Sequence, residues 1–109
     1  MNTYNVEHIC KILLIIRRAA CKYRTKQYYL YCIYMAYLYV KSDNTAYLSR
    51  YILGMSISKS GIYTIMGSLC KLNLLLKIES DVYKFTPLSI EIIQYIDEQL
   101  TLLSNSRQP

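Results

Sequence analysis

Hydrophobic and polar positions recur with two periods along this chain, and those periods place its elements. Between Ser56 and Leu75, Ile62, Ile65, Met66, Leu69 and Leu72 fall three and four apart, the buried stripe of an amphipathic helix. The opposite stripe, Ser60, Tyr63, Thr64, Gly67 and Lys71, is small, hydroxylated and basic. Ser58 is a favourable N-cap, and Ile57 can close a hydrophobic staple on Ile62. Asn73 stands where a helix ends in a left-handed residue. A helix that buries one side and offers a slim polar side is shaped to enter a major groove.

The same reading predicts four further helices. The first runs from about Asn5 to Lys22, with Ile9, Ile12, Leu13, Ile16 and Ala20 on one face. Leu14 and Ile15 widen that face beyond the needs of one neighbour. The second begins near Thr25, is apolar almost all round, and is expected to be the central strut. After the polar turn Lys41 to Thr45, capped by Asn44 or Thr45, a short third helix is expected from Ala46 to Leu53, with Leu48, Tyr51 and Ile52 inward. Gly54 ends it. Past Asn73 the period shortens. Leu75 to Glu79 and Val82 to Phe85 flank Ser80-Asp81 and read as a β-hairpin. Thr86-Pro87 then supplies an N-cap with proline at the first helical position. The last helix extends to about Leu103, with Ile93, Ile96, Leu100 and Leu103 on one face, and 104–109 is expected to be a flexible tail.

Charge sharpens the picture. The 109 residues carry 13 basic and 7 acidic side chains, a net of +6. Residues 1–77 hold 11 basic and 2 acidic groups, hence +9, whereas 78–109 hold 2 and 5, hence −3. A basic body favours a polyanionic partner. The cluster Arg17, Arg18, Lys22, Arg24 and Lys26 has three readings: a DNA-backbone contact, a solvated face, or a surface for an acidic protein.

Hydrophobic content is 53%, much of it in 13 tyrosines. No uninterrupted apolar run reaches the ~18–20 residues that span a bilayer, and the N-terminal stretch lacks the pattern of a secretory signal. A cytoplasmic location away from membranes is the expectation. Tyr28, Tyr31, Tyr34 and Tyr37 form a ladder on the second helix, and aromatic stripes at helical spacing are ordinarily core. Cys10, Cys21, Cys32 and Cys70 include no C-x-x-C pair, so no metal site is expected. Cys10 and Cys21 lie three helical turns apart and are candidates for redox chemistry across a helix pair, against the simpler reading as small apolar residues. Paired carboxylates, a nucleophile with its base, and a phosphate loop are all missing from the pattern, so neither enzymatic activity nor a cofactor is expected.

Helix, turn, long helix, hairpin, long helix is the order of a winged helix-turn-helix. Ser58-Lys59-Ser60-Gly61-Ile62 followed by Leu69-Cys70-Lys71-Leu72-Asn73-Leu74-Leu75 resembles the recognition-helix pattern of MarR-type regulators. Phe85-Thr86-Pro87-Leu88-Ser89 is similar to that family's segment after the wing. Asn73 and Ser89 stand where the family has glycines, and the wing lacks the family's usual Asp-Arg-rich tip, offering Lys77 and Lys84 with Glu79 and Asp81.

The expectation is therefore a mainly α, single winged helix-turn-helix domain over 1–109, with about five helices and a short β-hairpin wing. Residues 46–72 form the helix-turn-helix, 75–85 the wing, and 5–22 and 87–103 the dimerisation helices. The resemblance implies a homodimeric transcriptional regulator, a repressor of the MarR, SarA-like or viral and plasmid winged-helix kind, that binds double-stranded DNA. DNA contacts are assigned to Arg50, Ser58, Lys59, Ser60, Tyr63, Thr64, Lys71, Lys77 and Lys84, and the dimer seam to Ile9, Leu13, Ile16, Ile93, Ile96 and Leu100. A small-molecule effector at the tyrosine ladder is implied by the family alone. The alternative is a winged-helix protein-interaction or assembly module.

Overall fold

Five consecutive apolar residues, Ile12 to Ile16, leave the inward face of the first helix open to choice, and packing decides it. In the computed structural model, which describes residues 6–42, 47–49 and 59–105, α1 (Val6–Tyr23) buries Ile12, Ile15, Ile16, Ala19 and Ala20. Ile9, Leu13 and Leu14 stay more than 40% exposed. The expected face is thus corrected: it is rotated, because α1 must pack against both α2 (Gln27–Ser42) and the final helix, α4 (Pro87–Asn105).

A left-handed Arg24, φ 54°, closes α1 and starts the turn into α2. The Thr25 amide donates back to the Ala20 carbonyl at 3.0 Å, the six-to-one bond of a Schellman cap. α2 is the central strut, though not uniformly buried. Leu30, Cys32, Ile33, Tyr34, Ala36 and Val40 enter the core, while Tyr28, Tyr31 and Tyr39 remain at the surface. The tyrosine ladder splits accordingly. Tyr34 donates to the Asp97 carboxylate at 2.6 Å and Tyr37 to its second oxygen at 3.3 Å, bracing α2 to α4.

The expected third helix is corrected where it is described. Leu48 and Ser49 form a two-residue strand, β1, paired antiparallel with β3 (Leu48 opposite Tyr83, Ser49 opposite Val82). Leu48 is fully buried as expected, but in a sheet rather than on a helix. Positions 50–53 of that helix, Gly54, the caps at Ser58, Asn44 and Thr45, the Ile57 staple and the tail beyond Asn105 lie outside the described residues.

α3 (Lys59–Lys71) follows, then β2 (Leu75–Glu79) and β3 (Val82–Phe85), with the hairpin where the period-two pattern put it. The sheet order is β1-β3-β2, so the hairpin's second strand lies in the middle. Asp81 takes φ 61° at the turn, and the register slips between Lys77 and Glu79. The described chain is mainly helical with one small antiparallel sheet, and none of its helices is long and apolar enough to cross a membrane.

Candidate nucleic-acid interface

α3 is built as its spacing predicts at most positions. Ile65, Met66 and Leu69 are buried and Ile62 is half-buried, whereas Tyr63, Thr64, Gly67 and Lys71 face solvent. Leu72 is a correction: it is 42% exposed, and Leu74 takes its place in the core. The reason lies in the cap. Asn73 adopts φ 62°, its amide donates to the Cys70 carbonyl at 3.1 Å, and the Leu74 amide donates to the Leu69 carbonyl at 2.8 Å. Those two bonds are a complete Schellman motif, which turns the chain so that Leu74 returns beside Leu69.

The cap is fastened from the far side of the hairpin. The Thr86 hydroxyl donates to the Asn73 carbonyl at 2.6 Å and accepts the Ser89 amide at 3.1 Å, serving α3 and the N-terminus of α4 together. The Ser89 hydroxyl, fully buried, donates to the Leu74 carbonyl. The serine at this position therefore has a structural reason: it satisfies the buried carbonyl of the residue that leaves the α3 cap.

The hairpin's two lysines are divided. Alternation puts Lys77 opposite buried Tyr83, on the face toward the body, and Lys84 opposite exposed Leu76, on the outer face. Lys77 lies close enough to Cys70, near the end of α3, for its charge to oppose the rise that burial imposes on the thiol pKa. Lys71 and Lys77 are thus brought to one end of α3; Lys84 is not. Leu76 and Ile78 are about half exposed on β2, an edge strand. Lys59 and Ser60 occupy the first turn of α3, where their side chains are not described, and Arg50 and Ser58 lie outside the described residues. No acidic residue occurs in α3, so its exposed face is uniformly neutral or cationic.

Adding a Cβ at Gly67 would meet no atom within 4 Å. The glycine is not demanded by packing. It leaves bare backbone at the centre of the exposed strip.

The dimer residues separate into two groups. Ile16, Ile93 and Ile96 are 3% exposed or less, so the chain itself consumes these three side chains, whereas Leu100 is half-buried at the edge of the same core. The expectation that those three form an intersubunit seam is corrected, because α1 and α4 pack on each other within one chain. Ile9 and Leu13 stay exposed at 44% and 46%, beside Val6 and Leu14. Between α1 and α2 lies an open groove of about 470 Å³ lined by Ile9, Leu13, Tyr31, Met35 and Tyr39 among others. Cys10 and Cys21 are exposed thiols; Cys32 is buried, and burial raises its pKa. Among the described residues no group of three His, Cys, Asp or Glu side chains is placed to hold a metal ion.

Sequence reasoning missed two features. One is Asp97 as the anchor of Tyr34 and Tyr37; its signal was a carboxylate next to the inward stripe of Ile93, Ile96 and Leu100. The other is the coupling of Thr86 and Ser89 to the α3 cap, which no local pattern announces.

Comparison with known proteins returned no match: no protein-family model matches the chain, and neither does any curated protein or solved structure.

Proposed function

We propose that this chain is a winged-helix protein that binds double-stranded DNA as a homodimeric transcriptional regulator, repressing by occlusion. The observation that carries the reading is the exposed strip of α3. Tyr63, Thr64, Gly67 and Lys71 share one solvent face of a helix without a single carboxylate, and its C-terminal end is fixed by the Asn73 cap to the hairpin.

In this reading α3 enters the major groove. Thr64 presents a hydroxyl and a methyl, Tyr63 a ring and a hydroxyl, and Gly67 allows its backbone close to the groove wall. Lys59 and Lys71 meet phosphates at either end, and the free amides of the first turn add a favourable site for an anion. Lys77 extends the cationic end of α3; Lys84, on the outer face of the wing, is set aside from this contact. No Arg, Asn or Gln lies on the strip, so discrimination per subunit is modest and a two-fold dimer reading two half-sites supplies the remainder. The dimer seam in this reading is the exposed face of α1, with Ile9 and Leu13 joined by Val6 and Leu14. The protein acts by binding, without a cofactor. Charge reversal tests it: Lys59→Glu with Lys71→Glu abolishes duplex binding and leaves the fold and the dimer intact.

A second reading has its own support. Leu76 and Ile78 project side by side from the edge strand next to an acidic tip, Glu79 and Asp81, a surface suited to a protein partner rather than to phosphate. Under that reading Leu76→Asp with Ile78→Asp abolishes partner capture, and the double lysine reversal does not.

A further inference from the structure

We propose that the elbow between α1 and α2 is a second DNA-backbone contact, made by Arg17, Arg18, Lys22, Arg24 and Lys26 and continuous with the cationic end of α3. This rests on the DNA-binding reading above and adds to it a surface outside the helix-turn-helix and the wing.

Three observations carry it. First, the charge is concentrated: no Asp or Glu occurs in the sequence between Glu7 and Asp43. All five cations are exposed, and among the described residues none of Arg17, Arg18, Arg24 and Lys26 forms an ion pair. A solvated surface would gain from neighbouring carboxylates, whereas a phosphate track requires guanidinium groups left available.

Second, the elbow is rigid. Arg24 sits at φ 54°, a conformation costly for any residue with a Cβ, and the bond from the Thr25 amide to the Ala20 carbonyl holds it there. The Thr25 hydroxyl donates to the Tyr23 carbonyl at 3.1 Å. The Lys22 ammonium lies 5.6 Å from the ring centroids of both Tyr23 and Tyr95, tying the elbow to α4. A preordered cationic turn loses less freedom on meeting a polyanion than a mobile one.

Third, the elbow adjoins the end of α3 through the opening turns of α4. Ser89 bonds to Leu74 just past the α3 cap, while Glu91, two residues on, stands near enough to Tyr23 at the end of α1 to add to the rise that burial imposes on its pKa. Residues two apart lie on nearly opposite sides of a helix. The opening of α4 thus lies between the end of α3 and the elbow and meets both. Duplex DNA carries one charge every ~3.4 Å along each strand, so a backbone that runs past the end of α3 presents phosphates without interruption. Glu91 and Glu98 stand beside Tyr23 and reduce the patch without cancelling it: five cations face two carboxylates.

The test is the salt dependence of duplex binding by the full chain. Arg17→Ala, Arg18→Ala and Arg24→Ala together are expected to lower the slope of log K against log salt by about two to three, at ~0.9 for each phosphate no longer neutralised. A control with the same change in net charge, Lys41→Gln, Leu102→Glu and Ser104→Glu, places it at the other ends of α2 and α4 and is expected to keep the wild-type slope. Far-ultraviolet circular dichroism checks that both variants fold. A triple variant with the wild-type slope, when Lys71→Glu abolishes binding, overturns the elbow contact and leaves the DNA-binding reading standing. A wild-type chain that binds no duplex even at low salt overturns both. Capture of poly-glutamate by that chain, abolished in the triple variant, would then assign the elbow to an acidic protein.

Discussion

The Ser89 hydroxyl donates a hydrogen bond to the Leu74 carbonyl, joining the first turn of the last helix to the residue that follows the α3 cap. Both residues are fully buried, so neither group has water as a substitute partner. With Thr86 bonded to Asn73 alongside, the end of α3 and the start of α4 are joined by two side-chain bonds. Ser89→Ala leaves the Leu74 carbonyl without that bond. We expect a loss of about 1–3 kcal/mol in denaturant unfolding. A Ser89→Ala chain as stable as wild type would remove the fastening from the account.

Gly67 separates stability from function. A glycine inside a helix costs about 1 kcal/mol relative to alanine, and the added methyl meets nothing in the free protein. Gly67→Ala is therefore expected to raise the melting temperature by roughly 4–8 °C and to weaken duplex binding, because the methyl stands where the backbone approaches the groove. A variant both more stable and equally tight in binding would show that the centre of the strip does not touch DNA.

The Tyr34 brace predicts an alkaline weakness. Burial, and then the hydrogen bond to Asp97, push the Tyr34 pKa well above its ordinary value of 10.0. The fold thus favours the protonated phenol. Its contribution is fully present below about pH 10 and is lost progressively as the pH climbs above that point. Wild-type stability is expected to fall on that alkaline side, and to fall less in Tyr34→Phe, which starts lower at neutral pH. Equal pH sensitivity in the two, followed by denaturant midpoints, would place the alkaline transition on other groups.

The redistribution of dimer residues is testable by sedimentation. Leu13→Glu places a charge on an exposed position of α1, so the chain is expected to fold normally and sediment as a monomer. Ile16→Ala and Ile96→Ala open cavities in the chain's own core and are expected to cost about 2–5 kcal/mol each. If Leu13→Glu stays dimeric, the α1 face is not the seam.

The parts of this molecule that were legible in the sequence are those set by neighbours in the chain. The Asn73 cap, the Ser80-Asp81 turn and the Thr86-Pro87 start each depend on a few adjacent residues, and each stands where the pattern placed it. The exposed strip of α3 followed from period alone. β1 did not. Two residues carry no period, and their partners, Val82 and Tyr83, lie more than thirty positions away. The α1 face failed for a related reason. Five apolar residues in a row define no single face, and the choice of Ile15 over Ile9 and Leu13 was made by α2 and α4. Ser89 appeared in the sequence as a departure from a glycine position; its bond to Leu74 becomes visible only with the cap and the hairpin in place.

Fluorescence-anisotropy titration of the wild-type chain against random and AT-rich duplexes, across a salt series, tests the central claim most directly. The account predicts tight binding that weakens steeply with salt, at a slope corresponding to several phosphates, and that Lys59→Glu with Lys71→Glu abolishes it. Absence of duplex binding even at low salt would contradict the account and leave the exposed edge strand of the hairpin, with Leu76 and Ile78, as the surface to pursue.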